Sequence, residues 1–405
     1  MVPRIVNGGR HGVLDYAEGL LSRLMSPEWH RSSVRSSASV PKIIGITNIV
    51  VVTVAVIGLL LQSSSGTPVA KPPPVAKMRQ TAPAGTQQTA APDPVPTLAE
   101  PPGVVSTPEF AKQVKANELG LVPVLMYHRI VKKRAASIDR TPSQLRKELE
   151  KLAEQGYVPI TAKDFVTGNI RVPAGRSPVV LTFDDGHPSH FRLDASGNPA
   201  PDTAVGVILG VARKHPEFRP VATFWINHYP FGLQKREEQA AAVQWLIGHG
   251  FEVANHTWSH PSLAALPKKR VKEQIVRAER LLKKLGAGPS TTLALPFGSM
   301  PHPRKIARSG SWDGTSYKFA GVFLAGAEPS LSPYAKKFDP VAIQRIQSNG
   351  KKGECRKWCS QYWLEWLRKH PADRFVADGD PDHISIPKEL QGNITPKRRG
   401  QLVVY

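Results

Sequence analysis

LTFDDGHPSH, residues 181–190, places two adjacent carboxylates, Asp184 and Asp185, at the end of an apolar run. Like charges side by side repel, and one carboxylate raises the pKa of its neighbour. Such a pair is tolerable beside a counter-charge, or where one member has a proton to transfer. The run it closes, SPVVLTF (177–183), reads as a buried strand. Outward from it the chain alternates. VPVLMY (122–127) is a short apolar run ending at His128. DRTPSQLRKELEKLAEQG follows as a helix capped by Thr141, opened by Pro142 and ended by Gly156, with Leu145, Leu149 and Leu152 on one face. PDTAVGVILGVARKH reads as a helix, VATFWIN (221–227) as a strand, and KREEQAAAVQWLIGHG as a helix closed by Gly250. FEVAN begins a strand, and PKKRVKEQIVRAERLLKKLG is a helix with Val271, Ile275, Ala278, Leu282 and Leu285 on one face. TTLALPF (291–297) and AGVFLA (320–325) complete the set of strands.

This alternation predicts an α/β fold of parallel βα units. No GxGxxG follows a strand and no GxxxxGK is present, which excludes the dinucleotide and P-loop readings. Asp184 and Asp185, His256 and His260, and Pro296 and Phe297 all lie in or just after apolar strands. Sites of parallel sheets and barrels collect at the carboxyl ends of strands. In NHTWSH (255–260), two histidines four residues apart share a face if they sit on one helical turn, an arrangement that suits a metal such as zinc. One carboxylate of TFDDG completes a His₂Asp set, and the other stays free to act as base. The residues themselves leave open which aspartate does which.

The chain has 405 residues, 40% of them hydrophobic, and a net charge of +22. That length holds one large catalytic domain or two ordinary ones. The charge suits either nucleic acid or an anionic surface such as a membrane or an acidic wall polymer. Location decides between them. Residues 43–61, IIGITNIVVVTVAVIGLLL, carry no charge and at 1.5 Å per residue span about 30 Å as a helix, enough to cross a bilayer. Arg31, Arg35 and Lys42 lie close before it, so residues 1–42 are expected to be a basic cytoplasmic segment and the rest to lie outside, on a cell-membrane protein of single span. Cleavage after the run would instead release a secreted form. Residues 62–107 are a Pro/Ala/Thr-rich linker, an extended spacer because proline fixes φ and lacks a donor. Residues 108–405 are the expected catalytic domain. An outside domain argues against a specific nucleic-acid partner, and no protein partner is legible. Cys355 and Cys359 are spaced for adjacent helical turns and for a local disulfide. VADGDPDH (376–383) lacks the twelve-residue calcium pattern and is expected to be a solvated turn.

LTFDDG (181–186), HTWSH (256–260) and LPFG (295–298) resemble the first three motifs of the polysaccharide deacetylases of NodB type, carbohydrate esterase family 4. VPVLMYHRI (122–130) is similar to a bacterial branch with this early segment. The resemblance covers roughly residues 120–350 and implies a distorted (β/α) barrel. It implies that Asp184 is the general base and that Asp185, His256 and His260 hold one divalent ion, expected to be Zn²⁺. Where the family's third motif begins with an arginine that orients the base, this chain has Ala294, so one orienting group for Asp184 is expected to be missing. The late LxH motif that commonly supplies the acid is absent; QRIQ (344–347) stands in its place without histidine, and His383 lies in an unmatched context. The branch resemblance assigns the acid to His128 instead. Phe297 and Pro296 are expected near the developing oxyanion, and Trp258 either walls the sugar cleft or packs the rim. The implied activity is removal of N-acetyl groups from a cell-surface or extracellular N-acetylglucosamine polymer. A catalytically inactive carbohydrate-binding protein on the same fold, and an O-acetyl polysaccharide esterase, are the alternatives.

Overall fold

The computed structural model describes residues 104–405. The expected cytoplasmic segment and membrane span (residues 1–42 and 43–61) and nearly all of the linker lie outside the described residues. Among the described residues, no helix is long and apolar enough to cross a membrane.

The main sheet has eight strands: β1 (Val124–Tyr127), β2 (Tyr157–Ile160), β3 (Ser177–Phe183), β4 (Thr223–Ile226), β5 (Glu252–Asn255), β6 (Thr292–Ala294), β9 (Gly321–Phe323) and β10 (Ile346–Gln347). Their order is β10-β1-β3-β4-β5-β6-β9, and every pairing is parallel. β2 pairs with the first half of β3, up to Val180, and β4 takes over at Thr182, so the two share one edge of β3. Residues 343–347 touch both ends of the sheet, because Ile343 bridges Phe323 while Ile346 pairs with Leu125. The result is a curled parallel α/β half-barrel, consistent with the expected distorted (β/α) barrel. Two small additions are the β7–β8 hairpin (Ser309–Trp312 and Thr315–Lys318) and the pair β11–β12 (Ile384–Ile386 and Leu402–Val404).

Helices α1 (Pro108–Val114), α2 (Pro142–Glu154), α3 (Ala162–Thr167), α4 (Ala204–Lys214), α5 (Arg236–Gly248), α6 (Lys268–Lys284), α7 (Lys305–Arg308) and α8 (Ser360–Lys369) connect or cover the strands. The predicted signal at α2 is present in full: Thr141 and Gln144 form a reciprocal capping box and Pro142 opens the first turn. Strand residues alternate between two cores. Leu181, Phe183, Phe224 and Ile226 pack outward with Leu145, Leu149 and Ile208 under α2 and α4. Val180, Trp225, Ala254, Ala294 and Phe323 face the concave side. Thr182 and Asp184 continue the Val180 row, and this parity sends Asp184 inward.

Two local expectations need correction. Cys355 and Cys359 do not sit on adjacent helical turns: Cys355 lies in the turn Gly353–Arg356 and Cys359 caps α8, and their sulfurs are bonded across a Cα separation of 4.8 Å. The VADGDPDH segment is solvated only at its tip, where Pro381 and Asp382 are exposed. Asp378 and Asp380 are buried because Ser385 Oγ, Ser106 N and their own following backbone amides donate to their carboxylates.

Candidate active site

The end of β3 separates its two aspartates. Asp184 keeps the strand's inward direction and is buried. Asp185 turns away through a left-handed backbone, φ 77°, followed by Gly186 at φ 60°. Glycine is favoured at 186, because the positive φ strains any other residue and a Cβ would crowd Ile226 Cγ2 at 3.1 Å. The strand-end turn thus directs adjacent like charges into different surroundings.

Asp184 lies in a cationic clamp. Arg345 Nη1 donates to Oδ1 at 2.7 Å and Nη2 to Oδ2 at 2.8 Å. The same guanidinium donates from Nε to the Leu324 carbonyl at 2.6 Å and lies over the Trp225 ring at 5.0 Å. Burial alone would raise the Asp184 pKa, but Arg345, then His256 and His128, hold the carboxyl well below the usual range. This overturns the expectation of a missing orienting group. Position 294 is alanine, yet an arginine reaches the base from residue 345, beside β10. QRIQ carries no histidine, but it carries this. The sequence carries a hint of burial, a charged residue between Ile343 and Ile346 in a segment short and apolar enough to be a strand, but not the identity of its carboxylate partner.

His256 and His260 are not on a helical turn as anticipated. They lie in the loop after β5, whose backbone is left-handed at Thr257 (φ 67°) and His260 (φ 55°). A positive φ at a β-branched residue is costly and persists only where the surroundings impose it. Here Asn255 imposes it: its Oδ1 accepts from Thr257 N at 2.8 Å while its Nδ2 is held by Glu279 at 2.7 Å. The fold-back brings the imidazole rings to 4.9 Å and edge to face. Asp185 Oδ1 is 3.5 Å from His256 Nε2 and 3.3 Å from His260 Nε2. One ligand atom from each of the three falls within 4.8 Å of the others.

The donor set fits a divalent cation. His256 Nδ1 donates to the Ala294 carbonyl at 2.9 Å, which fixes the tautomer and leaves Nε2 with its lone pair toward the carboxylates. That nitrogen is fully buried and has no hydrogen-bond partner. Burial lowers the affinity of His256 for a proton, but Asp184 and Asp185 outweigh it and raise its pKa above the ordinary value. Two carboxylates and an orphaned imidazole nitrogen make an environment that favours positive charge.

His128, just past β1, faces the same space, with Nε2 4.0 Å from Asp184 Oδ2. Its carbonyl accepts from His190 Nε2 at 2.7 Å. Burial lowers the His128 pKa against the pull of Asp184 and Asp185. Pro296 is buried, and Phe297 is exposed with its ring 4.6 Å from His260. Trp258 is half-buried, stacked on His228 at 5.1 Å with Arg277 at 4.3 Å from its centroid, and it packs against the outer core. His383 pairs with Asp380 at 2.7 Å, and among the described residues no hydrogen bond or ion pair joins it to Asp184 or Asp185.

A family model described as polysaccharide deacetylase matches residues 171–309. A chitooligosaccharide deacetylase of Sinorhizobium fredii is 29% identical over 171 residues, 42% of this chain and 65% of the relative. One of Rhizobium leguminosarum bv. phaseoli is 33% identical over 139 residues, 34% of this chain and 47% of the relative. The chain thus spans less than two thirds of either relative's length. A Streptococcus pyogenes deacetylase solved with acetate aligns with a TM-score of 0.41 and 16% identity over 56% of this chain and 91% of that one. Likeness at that TM-score carries no weight for the site.

Proposed function

We propose that this protein is a metal-dependent deacetylase that removes N-acetyl groups from a surface or extracellular polymer containing N-acetylglucosamine. The observation that carries this reading is the division of labour at the end of β3: a buried carboxylate clamped by Arg345, beside an Asp–His–His cluster with an orphaned nitrogen. Asp185, His256 and His260 would hold the ion. A divalent ion, proposed to be Zn²⁺, supplies Lewis-acid polarisation of the acetyl carbonyl and acidifies water beside it.

The chain's own groups do the rest. Arg345 keeps Asp184 ionised and its oxygens fixed, so Asp184 is the base that takes a proton as water adds to the acetyl carbon. The C–N bond then breaks, and the amine departs only with a proton. His128 delivers it, from a position 4.0 Å from the base and facing the same space. Charge growing on the acetyl oxygen is met by the Phe297 backbone N–H, at a turn held in a left-handed conformation of φ 58°. The products are acetate and a free amino sugar. The uncharged run at 43–61 supports a membrane-anchored form of this enzyme.

Acetate release from a panel of N- and O-acetylated glycans tests this. N-acetylglucosamine oligomers should lose acetate, chelation should stop the reaction, and added metal should restore it. Binding without acetate release would establish the inactive carbohydrate-binding reading, and release from O-acetyl substrates alone the esterase.

A further inference from the structure

The tripeptide Pro-Phe-Gly occurs twice, at 230–232 after β4 and at 296–298 after β6. Both copies form the same turn, with φ 59° at Phe231 and φ 58° at Phe297. They flank the histidine loop, which follows β5 between them. In the second copy the phenylalanine itself is displayed, 71% exposed. In the first, Phe231 is buried against Phe191 and Phe224, and the preceding residue, Tyr229, is displayed at 55%. Among the described residues the exposed aromatic side chains are Tyr229, Phe297 and Trp358, so two of the three stand beside the candidate active site.

The segment that carries Tyr229 is tied to the turn after Asp185 and to the histidine loop by its neighbours. Phe231 N donates to the Gly186 carbonyl at 2.5 Å, next to Asp185. Asn227 Nδ2 donates to the His256 carbonyl at 2.7 Å, and His228 N to that of Trp258 at 3.1 Å. The Tyr229 ring lies 4.1 Å from that of His228, which stacks in turn on Trp258. A rigid aromatic ring left in water at a fixed point beside a cleft is a binding surface for flat, partly apolar faces. With parallel strands about 4.8 Å apart, β4 and β6 lie about 10 Å from each other, so the two rings stand apart with the histidines between them.

We propose that Tyr229 and Phe297 are stacking platforms for the sugar rings on either side of the one being deacetylated, and that the substrate is therefore the interior of a chain of at least three amino-sugar units. This rests on the deacetylase reading and adds its substrate length. The test uses the full chain and N-acetylglucosamine oligomers of one to five units. In wild type, kcat/KM should rise with length. Tyr229→Ala should lower the ratio of kcat/KM for pentamer to that for dimer about tenfold, through KM, as loss of one aromatic stack implies. Tyr229→Phe should retain the ratio, because the ring and not the hydroxyl is at work. A ratio within twofold of wild type in Tyr229→Ala would overturn the proposal. Calorimetric binding of the pentamer to Asp184→Asn, with and without Tyr229→Ala, separates this inference from the catalytic one. A wild type that releases no acetate refutes the reaction, while a Tyr229-dependent affinity still supports the platform and a Tyr229-independent one refutes it.

Discussion

Asp184 and Asp185 are neighbours of one residue type, yet they occupy opposite kinds of site. Asp184 is buried, its two oxygens taken by one guanidinium. Asp185 keeps its side chain 38% exposed and faces the imidazoles of His260 and His256, at 3.3 and 3.5 Å. A permanent cation from the chain satisfies the first; the second sits in an Asp–His–His cluster that could hold a metal ion. The difference arises from one backbone event, the passage from extended strand to φ 77° at Asp185. A doublet of like charges is thus resolved by geometry, each member with its own partner.

Perturbations on the two sides should therefore fail differently. The largest effect is expected at the base. Asp184→Asn should lower kcat by about 10²–10⁴-fold, read by acetate release. Next is the clamp. Arg345→Met leaves Asp184 buried without its partner and should destabilise the protein by about 3–5 kcal/mol, measured by urea denaturation. Asp184→Asn combined with Arg345→Met should cost less than the sum of the two, since the uncompensated charge is gone. If the two losses simply add, the pair is not coupled as described.

A smaller effect should appear on the Asp184 side as a dependence on pH. His190 is fully buried, and burial lowers its pKa to about 4. The unfolded chain binds this proton near pH 6.5, so between about pH 6.5 and 4 the unfolded state holds more protons than the folded one. Stability falls as pH drops through that window, by up to about 3 kcal/mol, and levels off below it. His190→Gln, which retains a donor for the His128 carbonyl, should flatten the urea midpoint between pH 7 and 4.5. An unchanged slope would remove His190 from the account.

The strand–helix alternation, the strand that ends at Asp184 and Asp185, and the pairing of one of these aspartates with His256 and His260 were legible in the sequence, because hydrophobic period and motif order are local signals; which aspartate joins the histidines came from the family resemblance. What was not legible depends on distant pairing. Arg345 is 161 residues from Asp184, and only the approach of residues 343–347 to both ends of the sheet brings them together. Spacing suggested a helical turn for His256 and His260, but Asn255 and Glu279 impose a left-handed loop that spacing cannot reveal. The acidic DGDPD segment looked solvated because charge usually is; its burial depends on Ser106 and Ser385, from opposite ends of the domain.

The central claim is that the two aspartates divide cation binding from proton transfer. Metal content per chain, measured by elemental analysis on Asp184→Asn and Asp185→Asn purified side by side, tests it most directly. Asp184→Asn should keep about one divalent ion per chain, as wild type should, although its turnover collapses; Asp185→Asn should fall well below one, because the proposed carboxylate ligand is gone. Equal retention in both variants, or equal loss in both, would contradict the division.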